Sequence, residues 1–238
     1  MPGLLNDEER KRRIATLGGT ALLCILLWQT YWGSLLLYPF TILATWFHEM
    51  GHGLAAILTG GRFERLLIYP DGSGVALSLR PGDSSVLADA LVSAAGPLGP
   101  PIAGALLIIA SRSRRTTRAA LAVLAAVLVL STLIWVRSLV GWIVLPLIAL
   151  ALLVILLRGS GKAQDFAIQL LGVQACISTY QDTGYLFSAG GSIAGRLQRS
   201  DTAAIADSLL LPYWFWGGAI SLVILALLAA SLRFALRR

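Results

Sequence analysis

Charged residues are scarce in this 238-residue sequence. Lys, Arg, Asp and Glu together make up 13% of the chain, whereas 57% of the residues are hydrophobic. Soluble globular domains carry about 25% charged residues, so this chain lacks the charge that a water-exposed surface needs. Several apolar runs reach the roughly 20 residues that cross the hydrocarbon core of a bilayer as a helix. The composition therefore excludes an ordinary soluble protein and predicts an integral, multi-pass membrane protein.

Cysteine is also rare, and basic residues outnumber acidic ones. Cys24 and Cys176 both lie in apolar segments, which predicts buried side chains and no disulfide framework. The formal net charge of +7 could indicate nucleic-acid binding in a soluble protein. Here the arginines stand in short segments beside apolar runs, where anionic lipid headgroups are the better partners. We therefore expect contact with the lipid bilayer and no nucleic acid.

Apolar segments of helical length fill most of the chain. Residues 1–13 form a basic N-terminal tail, and a retained signal-anchor helix follows it. The candidate spans are 14–28, 38–58, 84–110, 119–135, 139–157 and 217–232, with a more polar helical segment at 163–187. We therefore predict an all-α polytopic membrane protein with six or seven transmembrane helices, organised as a single membrane domain over residues 1–238.

Three other segments depart from this helical pattern. Strand-like runs at 63–69 and 75–79 flank a Pro-Asp-Gly-Ser-Gly turn, which predicts a small β-hairpin at or near the membrane surface. The hairpin could add an extended substrate strand, or it could serve only as a cover. Three prolines and two glycines at 96–101 favour a kinked or broken span over a loop between two short helices. A glycine-rich loop is expected at 188–199.

Both histidines of the chain lie in one short motif, His48-Glu49-Met50-Gly51-His52. Helical residues four apart share a face about 6 Å apart along the axis, so both imidazoles can reach one zinc ion. Glu49 beside them can take a proton from the attacking water and deliver it to the leaving amine. Ionisable residues inside an apolar span are costly and usually functional. The alternative is a pair of core histidines satisfied by hydrogen bonds.

The motif and its surroundings resemble the site-2 protease family of intramembrane zinc metalloproteases. The resemblance is carried by residues 48–53, by the hairpin after them and by the Gly-Pro-rich segment 96–101. The sequences Tyr180-Gln181-Asp182-Thr183 and Ser200-Asp201-Thr202-Ala203 are similar to a compact branch of that family. The resemblance covers residues 36–216. It implies Zn²⁺ as the cofactor, a membrane protein or peptide as the substrate, and Glu49 as the base in peptide-bond hydrolysis.

A catalytic zinc needs a third protein ligand, and no histidine remains to supply it. The carboxylates that could serve are Glu64, Asp71, Asp83, Asp89, Asp165, Asp182, Asp201 and Asp207. In site-2 proteases the ligand is an aspartate of a later membrane helix, within a Leu-Asp-Gly sequence that is absent here. Asp182 is the preferred ligand because its helical segment has intermediate polarity. Asp201 and Asp89 are alternatives, and Asp201 or Ser200 could instead cap a short helix that runs to about residue 211.

Two other functions stay open at this point. A non-catalytic metal-binding scaffold or chaperone of the same fold would keep the ligands but would not need Glu49. A transporter would need a polar pathway across several spans, and segments 119–135 and 139–157 are nearly free of polar residues.

Overall fold

Helices dominate the architecture of the chain. A computed structural model describes residues 7–80, 82, 84–181, 183–193 and 196–236. In chain order the elements are α1 (Asp7–Trp28), α2 (Tyr31–Leu58), β1 (Arg62–Ile68), β2 (Gly74–Leu79), α3 (Val86–Ala110), α4 (Arg114–Ile134), α5 (Leu139–Arg158), α6 (Gly161–Gln181), α7 (Thr183–Leu186), β3 (Gly190–Ile193), β4 (Arg196–Arg199), α8 (Asp201–Ser208) and α9 (Tyr213–Ala235).

Four of the described helices are long and apolar enough to cross a membrane. These are α3, α4, α5 and α9, and a fifth span is reached if α1 and α2 are counted together. The two helices of that pair are bent by 116° at Gln29 and Thr30, where the Thr30 hydroxyl caps α2. The predicted count of six or seven spans is therefore not confirmed. Helix α6 is not among the candidates because Gln164, Gln169 and Gln174 reduce its hydropathy.

The prolines of α3 do not interrupt it. Pro97, Pro100 and Pro101 are all buried inside one continuous helix. The preference for a span over a loop at 96–101 is therefore confirmed, whereas a break in the span, one of the two predicted forms, is wrong. Each proline removes only one backbone donor, and its fixed φ angle is compatible with a helix. Close packing on α2 then holds the segment: a Cβ on Gly99 would overlap the Phe47 carbonyl, and one on Gly51 would overlap the Ala95 carbonyl. The two backbones therefore touch where the motif lies.

Two small hairpins interrupt the helices. Strands β1 and β2 form an antiparallel pair directly after α2, with a turn at Pro70 to Ser73. The outer edge of β1 is already occupied, because Leu66 bonds the backbones of Trp135 and Arg137 between α4 and α5. The second hairpin, β3 with β4, lies where a glycine-rich loop was predicted. Its strands are only four residues each, too short for a period-two pattern to stand out.

The buried core has two parts. The larger one joins α2, β1, α4, α5 and α6 through side chains such as Ile42, Leu66, Leu128, Leu145 and Ile168. The smaller one joins α3, α7, α8 and α9 through Ala90, Leu186, Ile205, Ile220 and Ile224. Helix α3 contacts both α2 and α8. This packing brings the start of α8 to the middle of α2, although more than 140 residues separate them in sequence.

Candidate metal centre

Helix α2 carries the two histidines one turn apart on the face that meets α3. Their ring centroids are 4.9 Å apart. His52 Nδ1 lies 2.8 Å from the Val92 carbonyl oxygen, so Nδ1–H donates to that carbonyl and Nε2 is the nitrogen left to face a metal ion. The glycines beside His52 permit this approach of α3. A side chain at residue 51 would collide with α3, and one at residue 53 would collide with the Phe63 ring.

The first residue of α8 completes the cluster. Asp201 Oδ2 lies 3.0 Å from His48 Nε2, and Asp201 Oδ1 lies 3.2 Å from His52 Nε2. Ser200, not Asp201, caps α8, because its hydroxyl accepts the backbone N–H of Ala203. The Asp201 carboxylate is therefore free to face α2. In the part of the chain that the structure describes, His48, His52 and Asp201 are the one group of potential ligands that could hold a metal ion.

The geometry of this cluster fits zinc. Tetrahedral ligand atoms at 2.0–2.1 Å from the metal lie about 3.3 Å apart, close to the two measured separations. Two neutral imidazoles and one carboxylate are also a donor set found in zinc peptidases. The backbone of α3 leaves the space: a Cβ on Gly96 would overlap His52 Nε2 and lie 2.7 Å from His48 Nε2. Burial alone would raise the pKa of Asp201, but the contacts with His52 and His48 outweigh burial and hold that pKa below its usual range.

Glu49 is held beside the cluster by the first hairpin. Its side chain is buried, with 6% of its surface exposed, and its carboxylate accepts a hydrogen bond from the backbone of Ala76 in β2. A Cβ on Gly74 would lie 2.8 Å from Glu49 Cγ, so the strand passes directly over the carboxylate. The Thr45 hydroxyl also bonds the Gly72 carbonyl and ties the hairpin turn to α2. Strand β2 is thus packed directly on Thr45 and Glu49 of α2.

Comparison with known protein families agrees with this arrangement. A family model described as Peptidase M50B-like matches residues 17–231. The chain belongs to this family. The family is that of the site-2 proteases, which are intramembrane metalloproteases, so the predicted family membership is confirmed. Searches of curated proteins and of solved structures found no match.

The M50B-like match does not name a third ligand, so the arrangement of the side chains is the evidence for it. Asp182, the preferred ligand from sequence, lies outside the described residues, as does Asp83. Asp201 is the described carboxylate that meets both histidines. The sequence offers Asp201 as an alternative ligand but does not favour it, because a Ser-Asp pair before a short helix is also an ordinary N-terminal capping sequence.

The remaining candidate carboxylates have other partners. Asp89 is 2.6 Å from an Arg80 nitrogen, and Asp207 is 2.6 Å from an Arg199 nitrogen. Asp165 accepts a hydrogen bond from the Thr117 hydroxyl. Asp71 accepts from the hydroxyl and the N–H of Ser73, and these bonds hold the pKa of Asp71 below its usual range. Glu64 is exposed on β1.

A cavity of about 370 Å³ opens beside the motif of this M50B-like chain. It is lined by His48 and Glu49, by the first hairpin turn, by one end of α1 and by α6. Two lining donors, Trp28 Nε1 and Gln174 Nε2, are buried and have no acceptor among the described residues. Buried donors are nearly always paired in folded proteins. The cavity is therefore suited to a ligand that brings hydrogen-bond acceptors.

Proposed function

We propose that this protein is an intramembrane zinc endopeptidase that hydrolyses peptide bonds of membrane-embedded or juxtamembrane substrates. The observation that carries the proposal is the convergence of His48, His52 and Asp201 next to the buried Glu49. Membership of a family of intramembrane metalloproteases supports it. In this proposal the three side chains hold the metal, and Glu49 is the base.

The proposed roles follow from the positions of the side chains. Zinc bound to such a set supplies Lewis acidity, which acidifies water and polarises a carbonyl group. Glu49 accepts a proton from the attacking water and passes it to the leaving nitrogen as the C–N bond breaks. The bond from Ala76 keeps this carboxylate aimed at the cluster. His48 and Asp201 expose 16% and 13% of their side chains, which gives water access to the site.

A peptide substrate fits the surroundings of the site. A helical substrate has to unwind before hydrolysis, because its carbonyls are bonded internally. The outward edge of β2 offers backbone groups to an extended strand, in the manner of β-augmentation. Trp28 Nε1 and Gln174 Nε2 offer two further donors for exposed substrate carbonyls. Replacing Gln174 by Leu is expected to lower kcat/KM about tenfold with the zinc content unchanged.

The decisive experiment compares the wild type with Glu49→Gln in proteoliposomes. Both proteins are reconstituted with single-span peptides that carry a helix-breaking residue within the span, and cleavage products are identified by mass spectrometry. We expect wild-type cleavage and at least a hundredfold loss in Glu49→Gln, with equal zinc in both proteins. Cleavage that survives in Glu49→Gln would refute Glu49 as the base. Wild-type protein with full zinc and no cleavage would favour the non-catalytic metal-binding scaffold.

A further inference from the structure

A second cavity of about 370 Å³ lies away from His48, His52 and Asp201, and none of its described lining residues lines the first cavity. It is formed by the start of α1, the connection between α3 and α4, and the first turns of α6. Five basic side chains line it: Arg12, Arg13, Arg112, Arg114 and Lys162. We propose that this basic pocket binds the phosphate of an anionic lipid headgroup.

The charge of the basic pocket is unbalanced. Among its described lining residues there is one carboxylate, Asp165, and that group already accepts a hydrogen bond from Thr117. Within the described ranges, Arg112, Arg114 and Lys162 form no ion pair with a carboxylate, and neither does Arg12. Like charges gathered at one site repel each other unless an anion is bound between them. A phosphate group supplies that charge together with several acceptor oxygens.

Two buried hydrogen-bonding groups in the basic pocket also have no partner among the described residues. Arg112 is fixed by a bond from Nη1 to the Phe234 carbonyl, and its guanidinium carbon lies 5.0 Å from the Phe234 ring centroid. Its Nε is nevertheless buried and has no acceptor among the described residues. Gln169 Oε1, a buried lining acceptor, likewise has no donor there. An unpaired donor and an unpaired acceptor match a ligand that carries both phosphate oxygens and a hydroxyl group.

The position of the basic pocket indicates a lipid as the source of the phosphate. It lies where two candidate spans end, between the last residue of α3 and the first residue of α4. Headgroup phosphates of a bilayer lie at this level, and basic pockets between spans bind such headgroups. The lining residue Phe166 is 51% exposed and offers apolar contact to an acyl chain. The inference does not depend on the proposed peptidase activity.

Two matched charge changes test the assignment. One variant combines Arg12→Gln with Lys162→Gln, which removes two exposed cations from the basic pocket. The control combines Arg65→Gln with Arg158→Gln, two exposed arginines that do not line it. Each protein is placed in nanodiscs of phosphatidylcholine with a small fraction of phosphatidylglycerol, and retained lipid is measured by native mass spectrometry. Separate titrations use inorganic phosphate and glycerol 3-phosphate.

We expect the wild type and the control to retain phosphatidylglycerol equally and the pocket variant to bind it about tenfold or more weakly. Equal losses in both variants would show non-specific attraction and overturn the proposal. A pocket-dependent effect seen only with inorganic phosphate or glycerol 3-phosphate would overturn the lipid assignment in favour of a soluble phosphate site. Retention that is unchanged in the pocket variant would overturn the site altogether.

Discussion

Single side chains decide whether the motif of α2 becomes a metal site. Two histidines can hold zinc only when a third ligand arrives from elsewhere in the fold. We expect wild-type protein to contain one zinc per chain and Asp201→Asn to lose most of it, because the amide cannot supply the negative charge. Asp182→Asn is expected to keep its zinc. Elemental analysis of purified, chelator-washed protein measures all three.

His48→Ala provides the reference for the loss of one of the two histidines that we propose as ligands. If Asp182→Asn lost zinc to the same extent as His48→Ala while Asp201→Asn kept it, the assignment of the third ligand to Asp201 would be wrong. Unchanged circular dichroism in the asparagine variants would separate ligand loss from unfolding.

A glycine of α3 makes room for the ligand atoms. Because a Cβ at residue 96 would overlap His52 Nε2, Gly96→Ala should weaken zinc binding at least tenfold while leaving the helix intact. Gly104→Ala is the matched control: its Cβ would lie 2.7 Å from Cys176 Sγ, so it strains the same helix without touching the histidines. The measurement is zinc affinity by competition with a chelating dye. Equal weakening in both variants would show that strain in α3, and not the space at residue 96, is responsible.

The sequence identifies half of this site and leaves the other half open. His48, Glu49 and His52 stand within one helical turn, so their mutual placement follows from helix geometry alone. The third ligand depends on how α3 carries α8 to the face of α2, which no local pattern records. Ser200 and Asp201 are equally acceptable caps on local grounds. Only the fold shows that Ser200 makes the cap and that Asp201 faces the histidines.

At the level of elements, the short helix α8 determines the position of Asp201. The Ser200 hydroxyl accepts from Ala203 and donates to the Ser188 carbonyl, so it fixes both the start of α8 and the loop before it. Losing a serine cap costs about 1 kcal/mol of stability. We expect Ser200→Ala to weaken zinc binding about fivefold, the equivalent of that free energy, as Asp201 loses its fixed position.

Two further variants check that the cap itself matters. Ser208→Ala removes a hydroxyl at the other end of α8, where its partner among the described residues is the Ala204 carbonyl of the same helix, and should leave zinc affinity unchanged. Ser200→Asn keeps a capping group and should recover part of the affinity. If Ser208→Ala weakened zinc binding as much as Ser200→Ala, general loosening of α8 would be the better explanation.

Element boundaries show where local rules fail in this chain. The turn residues at 70–74 indicate the first hairpin because their chemistry is local. The prolines of α3 mislead, since the tight packing of Gly51 and Gly99 between α2 and α3 preserves the helix around them. Strands β3 and β4 are missed because strands of only four residues carry little pattern, and β3 also begins with two glycines. Tertiary contacts override local preference in α3.

For the whole molecule, composition is enough to predict a membrane protein with a high helical content. The number of membrane spans is harder to predict from the sequence. Helices α1 and α2 read as two separate spans in sequence, yet they form one bent pair. Helix α6 is packed against α3 and α1, so its polar glutamines are buried in protein rather than exposed to lipid. Counting apolar runs cannot distinguish a helix surrounded by lipid from one surrounded by other helices.

The same packing means that a bound metal would link α2 to α8 directly and would involve α3 only through packing. His48 and His52 belong to α2, Asp201 begins α8, and Gly96 of α3 lies against both imidazoles. A ligand that binds only the folded state at a hundred times its dissociation constant adds about 2.7 kcal/mol of stability. One kcal/mol shifts Tm by about 2–4 °C at this chain length, so chelation should lower the apparent Tm by about 5–11 °C.

His48→Ala should melt near the chelated wild type and show no further shift with chelator, which thermal scans in detergent at constant lipid content can measure. A chelator-induced shift of the same size in His48→Ala would mean that the stabilising ion binds elsewhere, and that the three helices are held together by packing alone.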